Sequence, residues 1–230
     1  MTIWLRSTTS TMKDASALAA EGEPHGTVVV AEEQTAGMGR HGQRWHSAPG
    51  GGLYLSIILR LEEPKPILML ALGLAAQRAV DDLTGVSTDL RWPNDLLLND
   101  RKLAGIMVQA GEGGALIAGI GLNVNQAKFP EELQGLATSL LIETGKEHSR
   151  EDLLERLVSE CLRYTAIPAA EILRRFESAS SYVRGKAVVV DNKVHGITAG
   201  LDENGFLLLQ TDKGTETIVA GGVRPADTQG

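Results

Sequence analysis

The chain has 230 residues, of which 43% are hydrophobic and 22% charged, and its formal net charge is −7. This length suits one sizeable domain with a small appended one, and the acidic balance argues against a broad nucleic-acid-binding surface. Cys161 is the only cysteine, which excludes an internal disulfide and a cysteine-based metal cluster. The N-terminal residues lack the apolar core of a secretory signal, and no run of about 18 apolar residues indicates a membrane span. We therefore expect a cytoplasmic protein without membrane contacts.

The first part of the chain combines helical and strand patterns with one long glycine-rich loop. Thr11 followed by Asp14 is typical of a capping-box-like helix start, and Gly22 and Pro24 end that helix. Runs rich in β-branched residues favour strands. The predicted elements are a helix near Thr11–Glu21, a strand over Thr27–Glu32, a loop from Glu33 to Gly52, a strand over Leu53–Arg60 and a helix over Pro66–Leu83.

Consecutive strand patterns joined by short turns follow, and they predict an α+β fold. The triplet 99–101 separates two apolar runs, which is a hairpin signal. Such strands favour a central mixed or antiparallel sheet with helices on one face. A later helical pattern covers 149–177, begins at Ser149 and is broken at Pro168. The predicted strands are Asp89–Trp92, Asp95–Asn99, Lys102–Ala110 and Ala115–Val124.

After Tyr182 the sequence changes to short strand patterns separated by turn pairs such as Asn204–Gly205 and Gly221–Gly222. This spacing predicts a small β domain of about 45 residues. A domain of that size is not expected to be stable alone, so we expect it to lean on the larger one. The predicted domains are residues 1–182 and 183–230.

The segment from Gln34 to Gly42 is the first candidate for chemistry. Its alternate glycines let backbone N–H groups approach an anion, and Arg40 adds a planar cation. It matches neither the Walker loop nor the dinucleotide fingerprint, and a flexible loop with incidental glycines is the alternative. Trp45 could simply pack the base of this loop. The five histidines are scattered without ligand spacing, so a protein-held transition metal is not expected.

The segment 91–95 (Arg-Trp-Pro-Asn-Asp) and Lys102 form a second candidate. Proline restricts the residue before it to extended backbone, which aims Asn94 and Asp95 off the sheet. If Lys102 begins its strand, its ammonium group lies near the same sheet end. A solvated hairpin lysine and a turn-forming aspartate are the alternatives. The strand motif 119–125 contains glycines, which suggest that a ligand or another backbone approaches closely.

Taken together in order and spacing, these motifs resemble the biotin–protein ligase family. They are Ser10-Thr11, Gln34 with Gly37-x-Gly39-Arg40-x-Gly42, Arg91-Trp92-Pro93-Asn94-Asp95, Lys102-x-x-Gly105-Ile106 and Gly119-x-Gly121-x-Asn123. The match covers residues 5–125, and the region after 184 looks like the family's C-terminal SH3-like β-barrel module. The resemblance implies an enzyme that forms biotinyl-5′-AMP from biotin and ATP, with Mg²⁺, and transfers biotin to a lysine of a biotin carboxyl carrier protein.

The resemblance also implies roles for single residues. Lys102 and Arg40 would be catalytic, touching the carboxylate and the α-phosphate, and Asp95 would be a candidate Mg²⁺ ligand. The implied biotin-binding residues are Ser10, Thr11, Met12, Gln34, Gly37, Met38, Gly39, Arg40, Trp45, Tyr54, Ser56, Lys102, Gly105 and Gly119. The implied nucleotide-binding residues are Arg40, His41, Trp45, Asn94, Asp95, Lys102 and Asn123.

The chain departs from the family pattern at three positions. Met12 stands where asparagine is usual, Met38 where an arginine is common, and Arg91 where lysine is common. The missing cation at 38 bears on how tightly the loop retains the adenylate. The ligase pattern begins almost at Met1, which with the acidic balance argues against DNA binding. A homodimer through a sheet edge is implied by resemblance alone. A lipoate or octanoate ligase, or a non-catalytic biotin-binding module, remains an alternative.

Overall fold

The computed structural model describes residues 1–62 and 66–226, except the side chain of His41. It contains a seven-stranded sheet, a five-stranded sheet and five α-helices. The first sheet contains β1 (Thr2–Leu5), β2 (Val28–Ala31), β3 (Gly52–Leu59), β4 (Asp89–Arg91), β5 (Asp95–Leu98), β6 (Arg101–Ala110) and β7 (Leu116–Asn123). The helices are α1 (Thr11–Ala20), α2 (Leu68–Thr84), α3 (Leu140–Thr144), α4 (Arg150–Thr165) and α5 (Ala169–Ala179). The second sheet contains β8 (Arg184–Val190), β9 (Val194–Leu201), β10 (Leu207–Thr211), β11 (Gly214–Ile218) and β12 (Val223–Pro225).

The strand order of the large sheet is β1-β2-β3-β7-β6-β5-β4. β1 and β2 are parallel and every other pair is antiparallel. The predicted α+β class with a mixed central sheet is therefore confirmed. The predicted hairpin is also present, because Asn99 and Asp100 both adopt the positive φ angles that such a tight turn requires.

The large sheet carries helices on both faces, so the expectation of helices on one face is wrong. Side chains alternate across each strand. In β3, Leu53, Leu55 and Ile57 belong to the main core, which α2 and α4 cover. Ile58 faces the other way and packs in a smaller cluster with Ala15 of α1. Helix α1 is short and rich in alanine, so its sequence does not reveal which face it covers.

The predicted capping box at the start of α1 is wrong. Ser10 is the N-terminal cap residue, and its side chain accepts no capping hydrogen bond. Asp14 instead accepts a hydrogen bond from the Thr8 hydroxyl at 2.6 Å. The backbone N–H of Thr11 donates to Oε1 of Gln34 at 3.0 Å. A side chain from the glycine-rich loop thus satisfies the helix N-terminus.

The predicted helical stretch 149–177 forms two helices, α4 and α5, that meet at Pro168. The side chain of Ser149 caps α4 by accepting from the backbone N–H of Asp152 at 3.1 Å. Strand β1 and helix α3 were not predicted, since each has only four or five residues. No helix within the two described stretches is long and apolar enough to cross a bilayer.

The C-terminal strands form an antiparallel sheet in the order β11-β10-β9-β8-β12. Between the outer strands β11 and β12, no pairing closes this sheet into a barrel within the described residues. The sheet is joined to the larger one through Trp92, whose buried Nε1 donates to the carbonyl oxygen of Gly205 at 2.9 Å. The division at 182/183 stays a prediction.

Candidate active site

A cavity of about 1090 Å³ lies on the face of the large sheet that α1 shares. The main core occupies the opposite face. Successive residues of a strand face opposite sides of the sheet. Gly105 of β6 and Gly119 and Gly121 of β7 therefore face the cavity. Their neighbours Ile106 and Ile120 face mainly the core. The glycine-rich loop, the segment 132–137 and the C-terminal sheet supply the remaining walls.

One wall of the cavity is a polar cluster built around Gln34. Its Oε1 accepts hydrogen bonds from the backbone N–H and the hydroxyl of Thr11, at 3.0 and 3.2 Å. Its Nε2 donates to the Ser47 hydroxyl at 3.0 Å. The Thr11 hydroxyl also lies 2.8 Å from the buried hydroxyl of Ser56. This wall therefore presents donors and acceptors to a small polar group from fixed positions.

A second wall is made by glycines that let larger side chains lie against the sheet. A Cβ atom at Gly119 would lie 2.6 Å from Sδ of Met12, and one at Gly105 would lie 2.9 Å from the Trp45 ring. A Cβ atom at Gly121 would overlap the same indole. The Nε1 atom of Trp45 is buried without a hydrogen-bond partner in the described residues. Met12 and Trp45 thus give this wall an apolar surface.

Lys102 belongs to a chain of charges that links β6 to Asp95, the first residue of β5. Its Nζ lies 2.5 Å from Oδ1 of Asp95, while Nη2 of Arg91 donates to Oδ2 at 2.7 Å. Burial alone would raise the pKa of Asp95, but the nearby charges of Lys102 and Arg91 lower it below its usual range. The carboxylate therefore stays ionised at neutral pH. The Lys102 ammonium also lies 5.4 Å from the centre of the Trp45 ring, a cation–π distance.

Arg40 reaches the same cavity from the loop. Its Nη1 donates to Oδ1 of Asn94 at 3.1 Å and to the carbonyl oxygen of Gly221 at 3.3 Å. Burial lowers the pKa of Arg40, and the carboxylates of Asp95 and Asp191 oppose that shift. Asn94 is itself fixed, because its Nδ2 donates to the carbonyl oxygen of Ile106 at 3.0 Å. The guanidinium is thus held between the large sheet and the C-terminal sheet.

The structure brings most of the implied site residues together around this cavity. The residues that line it are Ser10, Thr11, Met12, Gln34, Met38, Gly39, Arg40, Trp45, Asn94, Asp95, Lys102, Gly105 and Gly119. Gly37, Tyr54, Ser56 and Asn123 do not line it. The side chain of His41 lies outside the described part of the structure.

Two of the implied residues that do not line the cavity, Asn123 and Tyr54, form hydrogen bonds to the backbone around it. Asn123 is buried, and its Nδ2 donates to the carbonyl oxygens of Thr138 at 3.0 Å and Lys102 at 3.4 Å. Tyr54 is also buried, and its hydroxyl donates to the carbonyl oxygen of Ala48 at 3.0 Å. Burial raises the pKa of Tyr54 to about 12. Both residues hold backbone that carries cavity residues, and neither offers a free polar atom to a ligand in this conformation.

Several lining residues had little or no signal in the sequence. Arg44 lies next to Trp45 in the loop, while Glu132 lies in a short 3-10 helix (Glu131–Leu133) after β7 and Leu136 follows that helix. The C-terminal sheet contributes Asp191, Lys193, Gly222, Val223, Arg224 and Pro225. These last residues lie far along the chain from the glycine-rich loop, so no local sequence pattern connects them with the cavity. Only the cationic character of Arg44, beside a glycine-rich motif, offered a signal.

The described residues contain no group of three or more His, Cys, Asp or Glu placed to hold a metal ion. Asp95 was the candidate Mg²⁺ ligand, but its two oxygens contact Lys102 and Arg91. Mg²⁺ is commonly held by one or two carboxylates together with substrate phosphates. In this arrangement the protein offers no free carboxylate of that kind from Asp95, so the residues do not form a metal site by themselves.

Comparison with known proteins places these features in one family. Residues 4–126 match the family described as Biotin/lipoate A/B protein ligase, and residues 185–223 match the Biotin protein ligase C terminal domain. The bifunctional ligase/repressor BirA of Bacillus subtilis is 36% identical over 228 residues, covering 91% of this chain and 69% of that protein. The biotin–[acetyl-CoA-carboxylase] ligase of Mycobacterium tuberculosis is 37% identical, covering 94% of this chain and 85% of that one.

A solved structure agrees over nearly the whole chain. The biotin protein ligase from Aquifex aeolicus, in complex with biotin and ATP, superposes with a TM-score of 0.86 at 32% identity, covering 98% of this chain and 99% of that one. The first family match alone spans more than half of the sequence. The chain therefore belongs to the biotin/lipoate A/B protein ligase family, and within it to the biotin protein ligases.

Proposed function

We propose that this chain activates biotin with ATP to form biotinyl-5′-AMP and then transfers the biotinyl group to a lysine of a biotin carboxyl carrier protein. The observation that carries the proposal is the shared cavity of Arg40 and Lys102, which arrive from the loop and from β6. Both cations stand beside a glycine-rich wall and a fixed polar cluster. The relatives named as biotin ligases support the same activity.

Biotin fits the two walls of the cavity by its chemistry. Its ureido head group carries N–H donors and a carbonyl acceptor, which match the donors and acceptors around Thr11 and Gln34. Its apolar ring and side chain match the surface that Met12 and Trp45 form over the glycines. In this orientation its carboxylate points toward the cations Arg40 and Lys102.

The first step joins two anions, and this is why cations are needed. A biotin carboxylate oxygen attacks the α-phosphorus of ATP, the bond from that phosphorus to the bridging oxygen breaks, and pyrophosphate leaves. Arg40 and Lys102 stabilise the negative charge on the carboxylate and the α-phosphate as they approach. Asp95 holds the Lys102 ammonium in place at 2.5 Å. Mg²⁺, when present, would arrive on the nucleotide phosphates and neutralise part of their charge.

The second step transfers the biotinyl group. The uncharged amine of an acceptor lysine attacks the carbonyl carbon of the mixed anhydride. The bond to the phosphate oxygen then breaks, AMP leaves, and the amine loses its proton to form the amide. Trp45 and the loop residues 38–40 and 43–44 line the cavity. Closure of this loop over the bound anhydride keeps out water, which would otherwise hydrolyse it.

The test is incubation of the protein with ATP, Mg²⁺, biotin and a biotin carboxyl carrier domain, read by streptavidin blot. A carrier domain with its acceptor lysine changed to arginine is the matched control. Biotin-dependent exchange of pyrophosphate into ATP reports the first step separately, and lipoate replaces biotin in a parallel reaction. Exchange with lipoate but not biotin would reassign the substrate. Biotin binding without exchange or transfer would instead identify a non-catalytic module.

We propose that the protein acts in the cytoplasm without contacting DNA, and that it forms a homodimer through an edge of the large sheet. Both edge strands, β1 and β4, have one neighbour each within the described residues, which leaves their outer edges available for pairing. Sedimentation over a range of concentrations, with and without biotin and ATP, tests the dimer.

A further inference from the structure

The loop that covers the cavity contains a miniature antiparallel hairpin. The backbone N–H of Gly39 donates to the carbonyl oxygen of Gln43 at 2.7 Å, and that of Trp45 donates to the carbonyl oxygen of Gly37 at 2.9 Å. These two hydrogen bonds bracket Met38 and Arg44, which form an isolated antiparallel bridge. They are therefore a non-hydrogen-bonded pair, the kind in which opposing side chains lie closest together and on the same side.

Position 38 and position 44 consequently present their side chains to the same space. Both residues line the cavity, and both are exposed. Met38 stands where the family pattern commonly has an arginine. Arg44 has no ion pair or side-chain hydrogen bond within the described residues, in contrast to Arg40, Arg91 and Lys102, whose side chains all have polar partners. Lys193 and Arg224, which line the cavity from the C-terminal sheet, are likewise without such a partner among the described residues, but neither lies opposite position 38.

We propose that Arg44 binds the phosphates of ATP and supplies, from across the loop hairpin, the positive charge that position 38 lacks. This inference rests on the proposed function and adds a phosphate-binding residue to it. An arginine side chain is long enough to serve from either side of such a close pair, and its planar guanidinium suits a phosphate. Arg44 acts on the triphosphate and not on the biotin carboxylate, which Arg40 and Lys102 already face.

The charge of the cavity supports this role. Its lining contains the carboxylate of Asp95, which Lys102 and Arg91 already pair, and further carboxylates at Asp100, Glu132 and Asp191. A triphosphate brought into these surroundings needs cations that are not already committed. Arg44 is such a cation on the loop, as Lys193 and Arg224 are on the C-terminal sheet.

The inference is tested by calorimetric titration of the protein with ATP and, separately, with biotin. Arg44→Gln removes the charge with little change in size, and Arg44→Lys retains it. Arg6→Gln is the matched control, since Arg6 is exposed and does not line the cavity. The double variant Arg44→Gln with Met38→Arg moves the cation to the opposite position of the pair.

We expect Arg44→Gln to weaken ATP binding roughly tenfold, the size of one charge-assisted hydrogen bond, and to leave biotin binding within about twofold. Arg44→Lys should retain most of the ATP affinity, Arg6→Gln all of it, and the double variant should regain it. Unchanged ATP binding in Arg44→Gln, equal loss of biotin binding, or no recovery with Met38→Arg would each overturn the inference. If the wild-type protein lacks biotin-dependent pyrophosphate exchange, the proposed function fails, while the ATP titrations still decide the role of Arg44.

Discussion

The ammonium nitrogen of Lys102 lies 2.5 Å from Oδ1 of Asp95, inside the cavity that Arg40 enters from the glycine-rich loop. The other oxygen of this carboxylate accepts from Arg91 at 2.7 Å. One carboxylate therefore positions two cations, and Asn123 and the segment 136–138 hold the Lys102 backbone beneath them. This arrangement gives Lys102 a fixed position before any substrate binds.

Lys102→Ala should lower the rate of adenylate formation at least about 100-fold, which corresponds to roughly 2.7 kcal/mol of transition-state stabilisation. The physical reason is the loss of a cation at the meeting point of carboxylate and α-phosphate. The measurement is biotin-dependent pyrophosphate exchange. Lys128→Ala, at an exposed position away from the cavity lining, should leave the rate unchanged. Near-normal exchange in Lys102→Ala would reject the role of this residue.

Asp95→Asn should lower the free energy of unfolding at pH 7 by about 1–3 kcal/mol, because Lys102 and Arg91 lose their ionic partner. The pKa of Asp95 is lowered in the folded protein. Its stabilising contribution is therefore complete above the unfolded pKa of about 3.9 and is lost as the pH falls through the lower folded pKa. Urea denaturation at several pH values should show the difference between the two proteins shrinking below about pH 4. A difference that stays constant down to pH 2 would contradict this account.

Tyr54→Phe should change the stability of the protein at alkaline pH. The pKa of Tyr54 is raised to about 12 by burial, so the folded state retains the phenol proton while the unfolded chain begins to lose it near pH 10. The contribution is complete below about pH 10 and is lost as the pH rises toward 12. Denaturation between pH 9 and pH 12 should therefore show a steeper loss in the wild type than in Tyr54→Phe. Parallel curves would show that Tyr54 ionises normally in the folded protein.

Gly121→Ala should displace the loop that carries Trp45, because the added methyl group overlaps the indole ring. A displacement that costs about 1 kcal/mol raises the open population about fivefold. Limited trypsin digestion at Arg40 and Arg44, both within the loop hairpin, should be faster by that factor. Gly73→Ala is the control, since its methyl group would meet Leu90 at an ordinary 3.4 Å. Equal digestion rates in both variants would show that Trp45 does not pin the loop.

The sequence was sufficient to predict the elements whose signals are local. The turn at Asn99 and Asp100 and the break at Pro168 follow from the conformational preferences of those residues. The joint appearance of Arg40 and Lys102 in one cavity followed from the family resemblance, since no local rule connects positions 62 residues apart (102 minus 40).

The sequence could not predict features that depend on pairing over long distances. The face covered by α1 follows from the parallel pairing of β1 with β2, and β1 is too short to show a clear pattern. Thr11 suggested a capping box with Asp14, but Gln34, which follows much later in the chain, satisfies the helix start instead. In that case a tertiary partner replaced the one that local spacing suggested. The resemblance implied a nucleotide-binding role for Asn123, which stays a prediction; in this conformation its amide donates to the backbone of other segments.

The hydrogen bond from Arg40 to the carbonyl oxygen of Gly221 links the cavity directly to the C-terminal sheet. The turn at Gly221 is also tied to β8, since the next N–H, that of Gly222, donates to Oδ1 of Asp191 at 2.6 Å. A ligand that draws the guanidinium of Arg40 toward itself must therefore weaken its link to this turn. The rate of amide hydrogen exchange at Gly222 and Val223 should therefore change when a ligand binds in the cavity. Substrate binding at the large sheet would thus be detectable in the C-terminal sheet.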